Sequence, residues 1–354
     1  MKTIYKKLQK KLDQLSTGYP ETQSGIELKI LEQLFSENEA ALFLSLTPFL
    51  ESSDKIAARL NQDDKKISNR LENMAKKGLI FRLRKSKNTS YAVVPFVPGI
   101  FEFQVNHLNP NISKDIQQYY EEGFSKSIMA FKHPPMRTIP VDKALVSEWP
   151  IAPYEDVERI FDMQDRIALL DCVCRTWGRQ VDNGCDKPLE TCFYFGSHGD
   201  YFIENQAARY VDAQEAKKIV KNTLSQHGLV LQLSAGKKPV AVCMCCGDCC
   251  NMLLSLKSQP SPAKAAKSNY FIVAKKEECI GCEECLQRCQ MDAIQVKDDT
   301  VVVDYNRCIG CGACTFACSN EALLLQKKPE EALYVPPSNM TEFYLEVASQ
   351  RGLL

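Results

Sequence analysis

Apolar residues recur at helical spacing in IELKILEQLF and again in two segments between 53 and 77, before a basic, β-prone stretch, FRLRKSKNTSYAVV. This pattern predicts a short helix from Asp54 to Leu60, a turn at Asn61–Asp64 and a second helix from Lys65 to Lys77, stopped by Gly78. A two-stranded hairpin with its tip at Lys85–Thr89 follows. Ile67, Leu71 and Met74 form the inner face of the second helix. Further on, YEDVERIFDMQDRIALL carries an apolar stripe of Val157, Ile160, Phe161 and Ile167 and predicts an amphipathic helix packed on a core. Asp212, with Glu215 three residues later, reads as a capping box for a helix over 213–226 ending near Gly228. The longest apolar stretch, AALFLSLTPFL, contains Pro48 and falls well short of the ~18 residues of a membrane span. The charged amphipathic start, MKTIYKKLQKKLDQL, lacks the apolar region of a signal peptide, so a cytoplasmic protein is expected.

The chain has 354 residues, 45% hydrophobic and 25% charged, with formal net charge zero. That length supports several cores, and the neutral balance argues against binding polyanions over the whole surface. The expected fold class is α+β multidomain: a helical N-terminal domain over 1–100 and a connecting segment with the amphipathic helix over 101–170. A Cys-rich α/β middle domain spans 171–256, then a Pro/Ser/Lys linker 257–268, a repeat domain 269–326 and a tail 327–354. Within 1–100, the helix–turn–helix–hairpin order at about 26–100 resembles a winged helix-turn-helix of the multiple-antibiotic-resistance-regulator type. Between Asp54 and Ser90 there are eleven Lys/Arg against four Asp/Glu. Lys65, Lys66, Arg70, Arg82, Arg84 and Lys85 are the candidate phosphate contacts the resemblance implies. Protein docking is the alternative use of such a module, and the one favoured here over DNA.

Seventeen cysteines change the picture. In a reducing compartment such density points to metal rather than disulfides. With only four histidines, the chemistry is thiolate chemistry, which selects zinc, Cu(I) or iron–sulfur clusters.

An internal repeat at an offset of 29 aligns EECIGCEECLQRCQMDAIQV with NRCIGCGACTFACSNEALLL. Both copies have the spacing C-x2-C-x2-C-x3-C. The first three cysteines of such a run reach three irons of one cubane, and the fourth reaches the other cluster. The region resembles the bacterial two-[4Fe–4S] ferredoxin domain. That resemblance implies two [4Fe–4S] clusters, one held by Cys279, Cys282, Cys285 and Cys318, the other by Cys308, Cys311, Cys314 and Cys289. Gly281 and Gly310 would let backbone N–H groups approach the sulfides. The family's proline after the fourth cysteine is absent: Gln290 and Ser319 stand there.

The middle region holds Cys172, Cys174, Cys185, Cys192, Cys243, Cys245, Cys246, Cys249 and Cys250. If CCGDCC were helical, Cys245 would share a face with Cys249, and Cys246 with Cys250. As a loop, its neighbouring thiols would diverge. Either way the stretch can serve two centres or one enlarged centre. The CCG at 245–247 is similar to the CCG motif of the heterodisulfide reductase cysteine-rich domain, although only one copy is present. A further iron–sulfur cluster, or a structural zinc, is therefore expected among these nine. His198 reads as a surface residue, and Arg175 as a donor to cluster sulfur or a partner of Asp171.

No dinucleotide fingerprint, phosphate loop or nucleophile elbow is evident. The reading is an iron–sulfur electron-transfer protein of an anaerobic redox system. Its two ferredoxin-type clusters exchange electrons with a further Cys-ligated centre and with redox partner proteins. A cluster-sensing winged-helix transcription regulator and an oxidoreductase centred on the middle cysteines are the alternatives.

Overall fold

A computed structural model describes residues 3–85, 88–141, 145–146 and 151–354. Helices Thr3–Asp13, Ile26–Leu34 and Glu37–Leu44 open the fold. The third starts at a capping box in which Ser36 accepts from the Glu39 N–H and Glu39 accepts from the Ser36 N–H. Helices Ser53–Leu60 and Asp64–Lys76 follow, joined through Asn61 in the left-handed region (φ 52°). The Asp63 carboxylate caps the second, and Ile67, Leu71 and Met74 are its buried face. Gly78 takes φ +74° against Gln104 and Phe103, where a Cβ would lie within 2.7 Å of both. Strands Phe81–Lys85 and Asn88–Ala92 then pair, with Glu51–Ser52 on the outer edge of the second. Residues 86–87, at the expected hairpin tip, lie outside the described residues.

The segment after residue 100 is part of this core. Tyr119 and Phe124 pack with Tyr19 and Phe96 in one aromatic cluster, the Tyr19 ring 4.8 Å from Tyr119 and 4.9 Å from Phe96. The amphipathic helix expected over 154–170 is shorter: Val157–Asp162 is helical, but Ile167–Asp171 is a strand. Its IALL run is buried on both sides, which a central strand needs and which periodicity alone does not separate from a helix.

The middle of the chain is a six-stranded sheet. Its order is Met136–Thr138, Val230–Ser234, Ala241–Cys245, Glu190–Phe195, Ile167–Asp171, Ala208–Val211. Every pairing is antiparallel, so the region is α/β only in the broad sense of helices layered on a sheet. Helix Ala213–His227 is capped by the Asp212 carboxylate and ends at Gly228 in the left-handed conformation. Alternation along the strands sorts the residues. Phe193, Phe195, Val242 and Met244 face the core under this helix and Val157–Asp162. Cys192, Tyr194, Ala241 and Cys245 are buried in the cluster shared with the N-terminal helices, and Cys243 packs against it.

Residues 257–268 include helix Pro262–Ala265, whose Pro262 is buried, and the Ala263 N–H donates to the Asn306 carbonyl. Strand Tyr270–Ala274 pairs antiparallel with Leu323–Lys327, and hairpin Ile294–Lys297/Thr300–Val303 lies between them in sequence. The last helix, Met340–Gln350, buries Met340, Phe343 and Val347, and Arg351 donates to the carbonyls of Asp13, Leu15 and Ser16.

Candidate metal centres

Two small cavities open inside the C-terminal repeat. One, of about 380 Å³, is lined by Cys279, Cys282, Cys285 and Cys318; the other, of about 330 Å³, by Cys289, Cys308, Cys311 and Cys314. Each cavity thus takes three cysteines from one copy of the repeat and the fourth from the other. The chain returns through strand pairing to make this crossing. Backbone N–H groups of Val301, Ala293 and Ala322 point at the sulfurs of Cys279, Cys289 and Cys318 at 3.3, 3.2 and 3.1 Å. Backbone hydrogen bonds to cysteine sulfur of this kind fit cluster ligation. Gly281 and Gly310 take φ +69° and +63°, and a Cβ on Gly310 would fall 1.9 Å from the Tyr270 carbonyl, so no other residue fits there.

The two positions without proline differ. Ser319 is exposed, whereas Gln290 is buried and reaches out of the repeat. Its carboxamide oxygen accepts from the Gly247 N–H at 2.7 Å, and its NH₂ donates to the Gly228 carbonyl at 3.1 Å. Gly247 is the glycine of CCGDCC. The residue after Cys289 is thereby locked into the loop between Cys246 and Cys249.

That dense stretch is not a helix. Its first cysteines belong to strand Ala241–Cys245, the next residues form a turn, and helix Asn251–Lys257 begins only afterwards. The pairs expected from helical spacing are replaced by different ones. Cys246 and Cys249 turn towards Cys185, from the loop after helix Val173–Gln180, and the three sulfurs lie within 4.8 Å of one another. Cys245 and Cys250 turn the other way, into a cavity of about 1030 Å³ also lined by Cys172, Cys174, Cys192 and Cys243. The nine middle cysteines therefore divide six and three.

In the larger cavity the six thiols form a row: Cys172, Cys174, Cys250, Cys245, Cys243, Cys192, each interacting with the next. Cys192 and Cys243 are direct cross-strand partners with sulfurs 3.4 Å apart. Acidity alternates along the row. Hydrogen bonds from neighbouring thiols hold Cys250 and Cys243 well below the usual thiol range, while the thiols that donate, Cys174, Cys245 and Cys192, are raised. Six thiols converging on one cavity suit a soft metal or cluster.

Between the two groups lies Arg175, fully buried. Its partners are the carbonyls of Pro188 and Met244 and the Thr191 hydroxyl rather than Asp171. Burial disfavours its charge, but Cys172, Cys246 and Cys245 outweigh this and hold it cationic. Its Nε has no protein partner. The cavity wall also includes residues that the sequence reading did not single out. Burial pushes Glu102 up to about 7, against the Gly99 N–H that donates to it at 2.6 Å. Met340 and Tyr344 of the last helix complete the lining. His198, expected at the surface, is half-buried in helix Gly196–Glu204, lines the cavity and stacks on Phe81 at 5.0 Å.

The basic hairpin meets acids of its own chain. Arg82 is 1% exposed and pairs with Glu72 and with Glu204 of the sheet region, and Arg84 pairs with the same two. Arg70 donates to the Asn38 carbonyl. Lys65, Lys66 and Lys85 are exposed. Half of the six expected phosphate contacts are thus engaged within the protein, and Arg82 and Arg84, 122 and 120 residues from Glu204 in sequence, could not be recognised as such.

Residues 278–323 match the family model of a 4Fe-4S dicluster domain, so the C-terminal region carries such a domain. No curated protein and no solved structure shows significant similarity to the chain. The match supports neither a winged helix nor DNA binding elsewhere. Among the described residues, no helix is long and apolar enough to cross a membrane.

Proposed function

We propose that this protein carries electrons between a redox partner and a thiolate-held centre in the six-cysteine cavity, by way of its dicluster domain. The observation that carries the reading is the Gln290–Gly247 contact. It fixes the residue after Cys289 against the loop that runs directly into Cys245 and Cys250. When bound, the clusters supply one-electron carriers. The residues of this chain set their placement.

Cys279, Cys282, Cys285 and Cys318 hold the outer cluster; Cys282 is exposed beside Ile280, 63% exposed, with Glu277, Glu278, Glu283 and Glu284 at the surface around them. This is the side a partner with a basic face approaches. Cys289, Cys308, Cys311 and Cys314 hold the inner cluster, and the first three pack against the core that also contains Cys192, Cys245 and Cys250 of the row. The helix–helix–hairpin unit near the N-terminus is read as a winged-helix-like docking and support module, since its hairpin arginines bind Glu204 of the sheet region. An oxidoreductase reading rests on the same cavity, whose lining brings Glu102 and Tyr344 beside the six thiols.

The test is an anaerobic redox titration of the full chain followed by electron paramagnetic resonance. Signals of a third paramagnetic centre that vanish in Cys172→Ser and persist in Gln290→Ala, with slower reduction in the latter by a low-potential one-electron donor, support the reading. A protein with only the two dicluster signals and no cavity centre overturns it.

A further inference from the structure

The three sulfurs of Cys185, Cys246 and Cys249 are spaced for one metal ion and not for a cluster. Cys185 lies 3.8 Å from Cys246 and 3.7 Å from Cys249. A tetrahedral ion with metal–sulfur bonds of ~2.3 Å sets its thiolates ~3.8 Å apart, the edge of the tetrahedron. A cubane spreads its cysteines over separate irons, so their sulfurs lie further apart. The same chain supplies the control. Among the described residues, neither dicluster quartet brings three sulfurs within 4.8 Å, and only this trio does.

We infer that Cys185, Cys246 and Cys249 form a mononuclear tetrahedral site for a divalent ion of the zinc type, separate from the six-cysteine cavity. Thiolates in a reducing milieu select zinc over the earlier divalent metals of the first row. The fourth vertex goes to water or to the Asp248 carboxylate, which stands between Cys246 and Cys249 in sequence and now pairs with Lys187. Three thiolates and a divalent ion leave one net negative charge. Two cations stand near it: buried Arg175 beside Cys246, and Lys187, which pairs with Asp248 between two of the ligands. The Cys249 thiol donates to the Asn183 carbonyl at 3.6 Å, and a Cβ on Gly178 would lie 3.1 Å from its sulfur, so helix and turn are already fitted closely around the site. The ion staples the loop after Val173–Gln180 to the turn that Gln290 grips. This assignment does not depend on the electron-transfer reading, because a d¹⁰ ion such as Zn²⁺ neither accepts nor releases an electron there.

The experiment uses the full chain, purified anaerobically, with zinc and iron counted and the zinc X-ray absorption edge recorded. One zinc per chain, bound by three sulfurs at ~2.3 Å and one lighter atom at ~2.0 Å, is the expected result. Cys185→Ser then loses zinc to a competing chelator at least ~100-fold more readily, a loss beyond that of removing an outer-shell partner, with iron unchanged. Co²⁺ put in place of zinc in the unaltered protein gives the intense visible bands of a tetrahedral thiolate site. A fully iron-loaded protein without zinc overturns the assignment. So does a loss of about four iron in Cys185→Ser, or a zinc shell of four sulfurs.

Discussion

The Gln290 carboxamide and the Gly247 N–H meet at 2.7 Å across 43 residues of sequence, and both groups are buried. A Cβ on Gly247 would fall 2.3 Å from the Gln290 carbonyl oxygen, so the two backbones touch as closely as glycine allows. Gln290→Ala leaves the Gly247 N–H and the Gly228 carbonyl without their partner. Each buried polar group so stranded costs roughly 1–3 kcal/mol. The variant is expected to lose about 2–4 kcal/mol of stability on this reckoning in anaerobic urea unfolding while keeping its iron. Gly247→Ala is expected to be at least as damaging, because backbone has to move.

Crossed ligation predicts which cluster each fourth cysteine serves. Cys289 belongs to the first copy of the repeat in sequence but lines the cavity of Cys308, Cys311 and Cys314. Cys289→Ser is therefore expected to alter the same resonance signal as Cys311→Ser and a different one from Cys279→Ser. Matching spectra for Cys289→Ser and Cys279→Ser would refute the crossing.

Arg82 holds the hairpin to the sheet region. It is 1% exposed, and its partners Glu72 and Glu204 are 23% and 27% exposed. Removing one member of a buried pair costs roughly 3–5 kcal/mol, and the partial exposure of the acids moves this towards the lower end. Arg82→Ala is expected to destabilise by about 3 kcal/mol on that scale, and half-exposed Arg84→Ala by less than ~1 kcal/mol. Denaturant midpoints check both. The same pairing predicts that Arg84→Ala leaves no steep, salt-dependent DNA affinity to be lost; a strong salt slope in a duplex titration would contradict this.

His198 links pH to stability. Burial lowers its pKa to about 4, against ~6.5 in an unfolded chain. The folded protein excludes the proton that the unfolded chain binds, so the stability from the neutral ring is fully present above ~6.5 and is lost as pH falls towards 4. His198→Phe keeps the stack on Phe81 and has no proton to exclude. The stability gap between the two proteins is expected to shift in favour of the variant by about 1–2 kcal/mol between pH 6.5 and 4.5, as the linkage slope for one half-buried group allows. A gap independent of pH would count against it.

The repeat at 269–326 was legible because its ligand spacing is local: each loop of three cysteines carries its own geometry. The helices at 53–77 and 213–227 were legible from caps and glycines for the same reason. The division of the nine middle cysteines was not. Cys192 meets Cys243 through strand register, and Cys185 meets Cys246 and Cys249 across 61 and 64 residues. Adjacent letters in CCGDCC diverge because a strand ends and a turn begins between Cys245 and Cys246. Ile167–Asp171 was misread as helix because a short apolar run has no period to measure. Gln290 was visible as a departure from the expected proline, but its partner on Gly247 was not.

The last helix has a bearing on how the protein is assembled. Met340 and Tyr344 wall the six-cysteine cavity, and Arg351 anchors the helix to carbonyls as many as 338 residues earlier. During synthesis that wall arrives after every cysteine has been made. Closure across so long a stretch of chain is slow compared with local folding. Met340 and Tyr344 thus tie completion of the cavity wall to the docking of a segment that follows every cysteine in the sequence.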